Sequence, residues 1–228
     1  MDELNENLKT YVKYLGLAYL TYTLIGLMNT FFLKPGIYNV ETFIDTVDRF
    51  RIAQAMDLIM YCVVIAASWA SYLVARVVNK EIALLAFLFR FGEGLLGCVA
   101  GMVVLMPLIL LNADAVWPAF DIGQLRALAA MFMKLSSAMW NILFVLMGVG
   151  ALIFMYLFYV SKYFPRWLIL WGLFTYGSMI IFGLVKIIVS SPPEQMKLLM
   201  YPGALFEFVF GCWLLVKGLN KNAIEKMR

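Results

Sequence analysis

Residues 82–111 read IALLAFLFRFGEGLLGCVAGMVVLMPLILL, a run whose only charges are Arg90 and Glu93. About 20 consecutive apolar residues carry an α-helix across a bilayer core, and a charge at mid-membrane depth costs roughly 3 kcal/mol or more unless it is paired or hydrated. The run is therefore a membrane span with polar work in its middle. Outward from it the pattern repeats. Apolar runs fall at 11–33, 51–75, 125–160, 167–189 and 199–216, and Pro35-Gly36, Asn79-Lys80, Pro165 and Pro192-Pro193 punctuate the gaps. Hydrophobic residues make up 64% of the 228-residue chain and charged residues 14%, against about a quarter charged in soluble domains. The fold expected is all-α: one polytopic bundle of about six transmembrane helices over 1–228, with no room for a separate soluble domain.

Two segments need their own reading. The run at 125–160 is longer than one upright crossing requires, and its start mixes Arg126 and Lys134 into alanine and methionine, so 124–134 is expected at the interface with the span beginning near Ser136. Residues 36–50 carry Glu41, Asp45, Asp48 and Arg49 among apolar residues at helical spacing, which predicts a short helix on the membrane surface. Asp2, Glu3 and Glu6 precede the first run without a basic stretch or a cleavage site, so the first span is expected to be retained.

Six spans place both termini on one side. Ten basic residues flank the spans there (Lys9, Lys13, Arg76, Lys80, Lys162, Arg166, Lys217, Lys221, Lys226 and Arg228), against five on the other side (Lys34, Arg49, Arg51, Arg126 and Lys197). By the positive-inside rule both termini are expected in the cytoplasm. The net charge of +4 is thereby explained as topology, and no nucleic-acid partner is expected. Trp117, Trp167 and Tyr201 near span ends fit interfacial anchoring.

The chain has no histidine, which removes the usual haem axial ligand, the commonest zinc ligand and the commonest general base. Cys62, Cys98 and Cys212 all lie in apolar runs and read as buried thiols. There is no aspartate-rich metal motif, Gly-x-Ser-x-Gly elbow, CxxC pair or phosphate loop, so no catalytic residue, metal or cofactor is assigned.

Function must then be argued from the charges inside the spans: Asp57, Arg90, Glu93, Lys134, Lys186 and Glu207. Arg90, Glu93, Gly94, Gly97 and Gly101 follow i, i+3, i+4, i+7, i+11 and share one helical face. Gly97 and Gly101 form a small-xxx-small pair, so this face is expected to pack on protein. Gly203, Ala204, Glu207 and Gly211 repeat the arrangement in the last span. Gln54, Asp57, Tyr61, Ser68 and Ser71 line one side of the second, and Lys134, Ser137, Asn141 and Gly148 one side of the fourth. Three acids against three bases allow a neutral interior. At about 1.5 Å per residue, Glu93 and Glu207 come nearest the midplane, with Asp57 and Lys186 nearer the outer boundary. Arg90 is expected to hold Glu93, Glu207 or both. Lys186 and Lys134 read as snorkelling or interfacial lysines, and Asn141 as an interhelical hydrogen-bonding amide.

The motif Asn79-Lys80-Glu81-Ile82-Ala83-Leu84-Leu85 leading to Arg90-x-x-Glu93, the turn Tyr163-Phe164-Pro165-Arg166, and Glu207 followed by Trp213-Leu214-Leu215-Val216-Lys217-Gly218 together resemble a family of small bacterial multi-pass membrane proteins, domain of unknown function 4386. The resemblance covers about 22–218. It implies a six-helix protein of the bacterial plasma (inner) membrane with no assigned activity or cofactor, and its charged positions coincide with Asp57, Arg90, Glu93, Arg166 and Glu207. After the turn this chain has Trp167-Leu168-Ile169 where members often carry a glycine. Three functions stay open. The first is a binding or transport-like module for membrane lipid, a small amphipathic ligand or an ion. The second is an accessory subunit in contact with a partner or a second copy. The third is an intramembrane lipid-modifying enzyme using carboxylates as acid and base, the less favoured reading for want of a motif.

Overall fold

The apolar runs fold as helices because a helix satisfies every backbone N–H and C=O inside the segment, as a bilayer demands. The computed structural model describes residues 2–38, 44–111, 120–189 and 191–220. It contains α1 (Asp2–Met28), α2 (Val47–Ala75), α3 (Lys80–Leu110), α4 (Ile122–Ser161), α5 (Arg166–Ile188) and α6 (Tyr201–Val216), and no strand occurs among the described residues. Among the described residues six helical segments are long and apolar enough to cross a membrane, the sixth taking in the 3-10 stretch Glu194–Met200 ahead of α6.

Local chemistry sets their ends. The Asn79 side chain accepts from the Ile82 N–H at 2.9 Å and caps α3. Asp121 and Gln124 form a reciprocal capping box at the start of α4. Lys162, at φ 58°, turns the chain out of α4 in the left-handed region, and Pro165 precedes α5. α1 runs on through a π-helical stretch, Asn29–Leu33, closed by the Lys34 N–H on the Asn29 carbonyl at 2.8 Å. The wider turn inserts a residue into the helical register, a device frequent at functional sites.

The segment read as a surface helix is organised differently. Residues 35–38 form a turn, Ile44–Thr46 a single 3-10 turn, and α2 has already begun at Val47; Glu41 lies outside the described residues, as does Trp117. Arg49 bends back to the Pro35 carbonyl at 2.6 Å, tying the start of α2 to the turn. The long fourth run is one unbroken helix of 40 residues, about 60 Å at 1.5 Å per residue, twice the thickness of a bilayer core.

Each helix packs on its neighbours in the chain and α6 returns to α1, so the bundle is a ring; α5 and α6 touch least. Small residues set the close approaches. A Cβ on Gly150 would meet the Ala86 carbonyl at 2.9 Å, one on Gly183 the Asn141 carbonyl at 2.6 Å, and one on Gly16 Leu214 at 2.9 Å. Gly97 lies under the Tyr61 ring, but Gly101 has nothing within 4 Å. The expected close packing at Gly101 is therefore absent, because α2 leaves α3 there and a hollow opens between Leu58 and Met102.

At the end of the ring near the termini, buried aromatics fill the centre. Phe158, Phe164, Phe206 and Phe210 stack and cross at centroid distances of 5.2 to 6.5 Å, with Tyr163 behind them. Rings of this kind leave no polar path, and the bundle is plugged at this end. Towards the other end the ring is hollow.

Candidate functional site: a polar cavity in the ring

All six helices contribute to the hollow. A cavity of about 340 Å³ is walled by apolar side chains such as Met60, Val64, Leu143, Phe144, Met147 and Met179, and into it project Asp57, Arg90, Glu93 and Glu207. The four inward-facing charges of the sequence reading are thus brought to one chamber by α2, α3 and α6. Its size and its few polar groups in an apolar wall are those of a small-molecule site.

The three acids are treated differently. Asp57 is fully partnered: Lys34 lies 2.8 Å from Oδ2, and the Asn29 side-chain amide donates to Oδ1 at 2.8 Å while also donating to the Ala53 carbonyl. The π-helical stretch brings Asn29 and Lys34 onto this carboxylate together. Lys34 also sits over the Trp140 ring, 5.1 Å from its centroid.

Glu93 pairs with Arg90 one turn away at 2.5 Å, both side chains about 4% exposed. The pair is in contact but is not aligned as a hydrogen bond, and the facing atoms, Arg90 Nη1 and Glu93 Oε2, have no other polar partner among the described residues. A fork onto both carboxylates, one of the three arrangements expected, is not what forms; Arg90 holds Glu93 alone.

Glu207 has hydroxyls for neighbours. Tyr176 donates to Oε1 at 3.2 Å, and Thr23 reaches Oε2 at a long 3.5 Å. With its proton committed to Glu207, Tyr176 accepts from Tyr19 at 3.4 Å, so a hydroxyl chain runs Tyr19 to Tyr176 to Glu207. Tyr22 also faces this carboxylate without the geometry of a hydrogen bond. Across the chamber, Tyr61 presents a buried hydroxyl with no polar partner.

Counted within this chamber, the charges are three acids against Lys34 and Arg90. The expected balance drew on Lys134 and Lys186, which the fold puts elsewhere. Those two, with Asn141, line a second hollow of about 690 Å³ at the end away from the termini, and it adjoins the first through Thr30, Lys34, Trp140 and Phe144. Lys186 lies 6.0 Å from the Phe182 ring centroid. Arg166 belongs to neither hollow: it is exposed at the start of α5, beside the Tyr159 ring. Sequence reasoning missed Asn29, Lys34, Tyr22 and Tyr176. A signal existed for part of this set, because Tyr19, Tyr22, Thr23, Gly26 and Thr30 recur at helical spacing along α1.

The chamber can hold a molecule that is largely apolar and meets a guanidinium, a carboxylate and phenolic hydroxyls at one end. Fold and cavity define a polytopic, all-helical membrane protein with an intramembrane polar chamber closed at one end. The family described as Domain of unknown function (DUF4386) matches residues 14–218, and the chain belongs to it. Neither a curated protein nor a solved structure matches the chain. All the inward charges fall within the matched residues.

Proposed function

We propose that the protein is an intramembrane binding module for a small amphipathic ligand, held in the chamber between Arg90, Glu93, Tyr61 and Glu207. One observation carries the reading: the buried Tyr61 hydroxyl, with no polar partner among the described residues, and the Arg90–Glu93 pair, which meets in contact but without an aligned hydrogen bond, line an open chamber. A set built only to lock helices satisfies itself, since an unpartnered buried polar group costs about 1–3 kcal/mol. Asp57 with Lys34 and Asn29 is such a lock at the edge of the chamber, both carboxylate oxygens being bonded. The Tyr61 hydroxyl and the chamber-facing side of the Arg90–Glu93 pair are left for an occupant.

The one-ended shape supports binding over free conduction, because the aromatic plug bars a continuous polar path. We place both termini in the cytoplasm of a bacterial plasma membrane on the basic-residue asymmetry, which puts the plug inward and the open end outward.

The test is native mass measurement of the full chain extracted in mild detergent. Wild type is expected to retain a small amphiphile that resists detergent exchange, and Ala204→Phe, which fills the chamber wall, is expected to release it. A bare wild-type mass, or equal retention by the filled variant, refutes the proposal.

A further inference from the structure

The second hollow differs in charge from the first. Lys34, Lys134 and Lys186 line it together with Tyr38, Ser137 and Asn141, and no acid does among the described residues. Lys34 is engaged by Asp57, whereas neither Lys134 nor Lys186 has a carboxylate partner among the described residues. Two cations and a set of hydroxyl and amide donors therefore face one open volume. That donor set suits an oxyanion, which ammonium and hydroxyl groups bind by charge-assisted hydrogen bonds.

The two hollows also adjoin. Thr30, Lys34, Trp140 and Phe144 border both, so a chain passing between these four side chains from a polar end on Lys134 and Lys186 would enter the chamber lined by Met60, Val64 and Met147.

At the same level the chamber wall includes side chains exposed on the outer face of the ring. Near the termini α1 and α6 are zipped by glycine: a Cβ on Gly16 would meet Leu214, and one on Gly211 would meet Leu20 at 2.9 Å. Farther along, Thr23 approaches Glu207 at 3.5 Å. Beyond that, Gly203 turns to Met179 of α5 and Gly26 meets only Met60 of α2. The chamber wall there is Leu27 and Phe31 on one side and Tyr201 and Ala204 on the other, with Phe31 63% and Tyr201 66% exposed. In a bilayer Phe31 and Tyr201 face acyl chains.

We infer that the ligand is an anionic lipid-like amphiphile: an oxyanion headgroup, phosphate or carboxylate, seated on Lys134 and Lys186, with an apolar chain lying in the inner chamber and admitted sideways between α1 and α6. This rests on the ligand-binding reading above and adds the ligand's charge and route. Lys134 and Lys186 lie toward the rim, the first exposed and the second half-buried, so glutamine at both positions is compatible with folding.

The experiment measures binding of four probes to the full chain in phosphatidylcholine nanodiscs: dodecyl phosphate, dodecanoate, dodecanol and inorganic phosphate. Wild type is expected to bind the two anionic chains at least tenfold more tightly than dodecanol. Lys134→Gln/Lys186→Gln is expected to lose about tenfold or more per lysine removed for the anions while leaving dodecanol unchanged. The preference between phosphate and carboxylate then identifies the headgroup. Dodecanol binding as tightly as the anions, or an unaltered double variant, overturns the headgroup assignment while leaving the chamber a binding site. Inorganic phosphate binding as tightly as dodecyl phosphate overturns the lipid-like chain. Failure of every chain-bearing probe overturns both this inference and the proposed function.

Discussion

Replacing Arg90 with leucine leaves Glu93 without its cation in a place where water is scarce. Glu93 is about 4% exposed at the side chain, and the other charge it feels is the like charge of Glu207. Breaking a buried pair by removing one partner costs about 3–5 kcal/mol, and at this burial there is no solvent screening to reduce the figure. Replacing both partners, as in Arg90→Leu/Glu93→Leu, removes the orphan and is expected to return the protein to within about 1–2 kcal/mol of wild type. Each single variant, at about 3–5 kcal/mol, and the double, at about 1–2 kcal/mol, thus form a cycle with a coupling energy of about 4 kcal/mol or more. The assay is equilibrium unfolding in mixed micelles, followed by tryptophan fluorescence. Lys34→Met is the internal control: Asn29 still bonds Asp57, and the Lys34 side chain is 21% exposed, so its loss is expected to cost less than that of Arg90. An Arg90→Leu variant within about 0.5 kcal/mol of wild type, or a double variant no better than the single, refutes the reasoning.

Two further outcomes are expected. Alanine at Gly183, where a Cβ would meet the Asn141 carbonyl at 2.6 Å, should destabilise by about 1–3 kcal/mol, whereas Gly101→Ala, with nothing within 4 Å, should be neutral or gain up to about 1 kcal/mol; the reverse order in thermal-shift measurements contradicts the packing described. Burial raises the Tyr38 hydroxyl from its ordinary value of 10.0 to about 12, so between those pH values the folded state keeps a proton that the unfolded chain releases, and stability falls as pH rises. The slope should be shallow because Tyr38 is 42% exposed, and it should vanish in Tyr38→Phe in an alkaline unfolding series.

The six crossings were legible because hydrocarbon permits so few residues: long apolar runs between prolines admit no other fold. The inward set on α3 was legible for a related reason, since Arg90, Glu93, Gly94 and Gly97 share a helical face and a charge seldom faces lipid. The rest was hidden by three physical facts. The π-helical stretch after Met28 shifts the register, so periodicity does not reveal that Asn29 and Lys34 converge on Asp57. Tyrosine is ambiguous in a span: Tyr201 is exposed at a helix end, while Tyr176 is buried against Glu207, and nothing in their immediate neighbours distinguishes them. Periodicity also gives the face but not the distance to the next helix, so Gly101 shares its stripe with Gly97 and still opens to a hollow. The same limit applied to charge. Lys134 and Lys186 complete a neutral count in the sequence, yet the fold separates them from the acids by the Lys34 and Trp140 wall.

Whether the inward charges hold a ligand is tested most directly by an experimental density map of the wild-type protein in lipid nanodiscs. The expected result is continuous density not belonging to the chain, running from beside Arg90 and Tyr61 past Trp140 to Lys134 and Lys186. A chamber collapsed on itself, with Arg90 bridging Glu93 and Glu207 and the Tyr61 hydroxyl bonded to protein, would contradict it and leave the charges as a lock on the bundle.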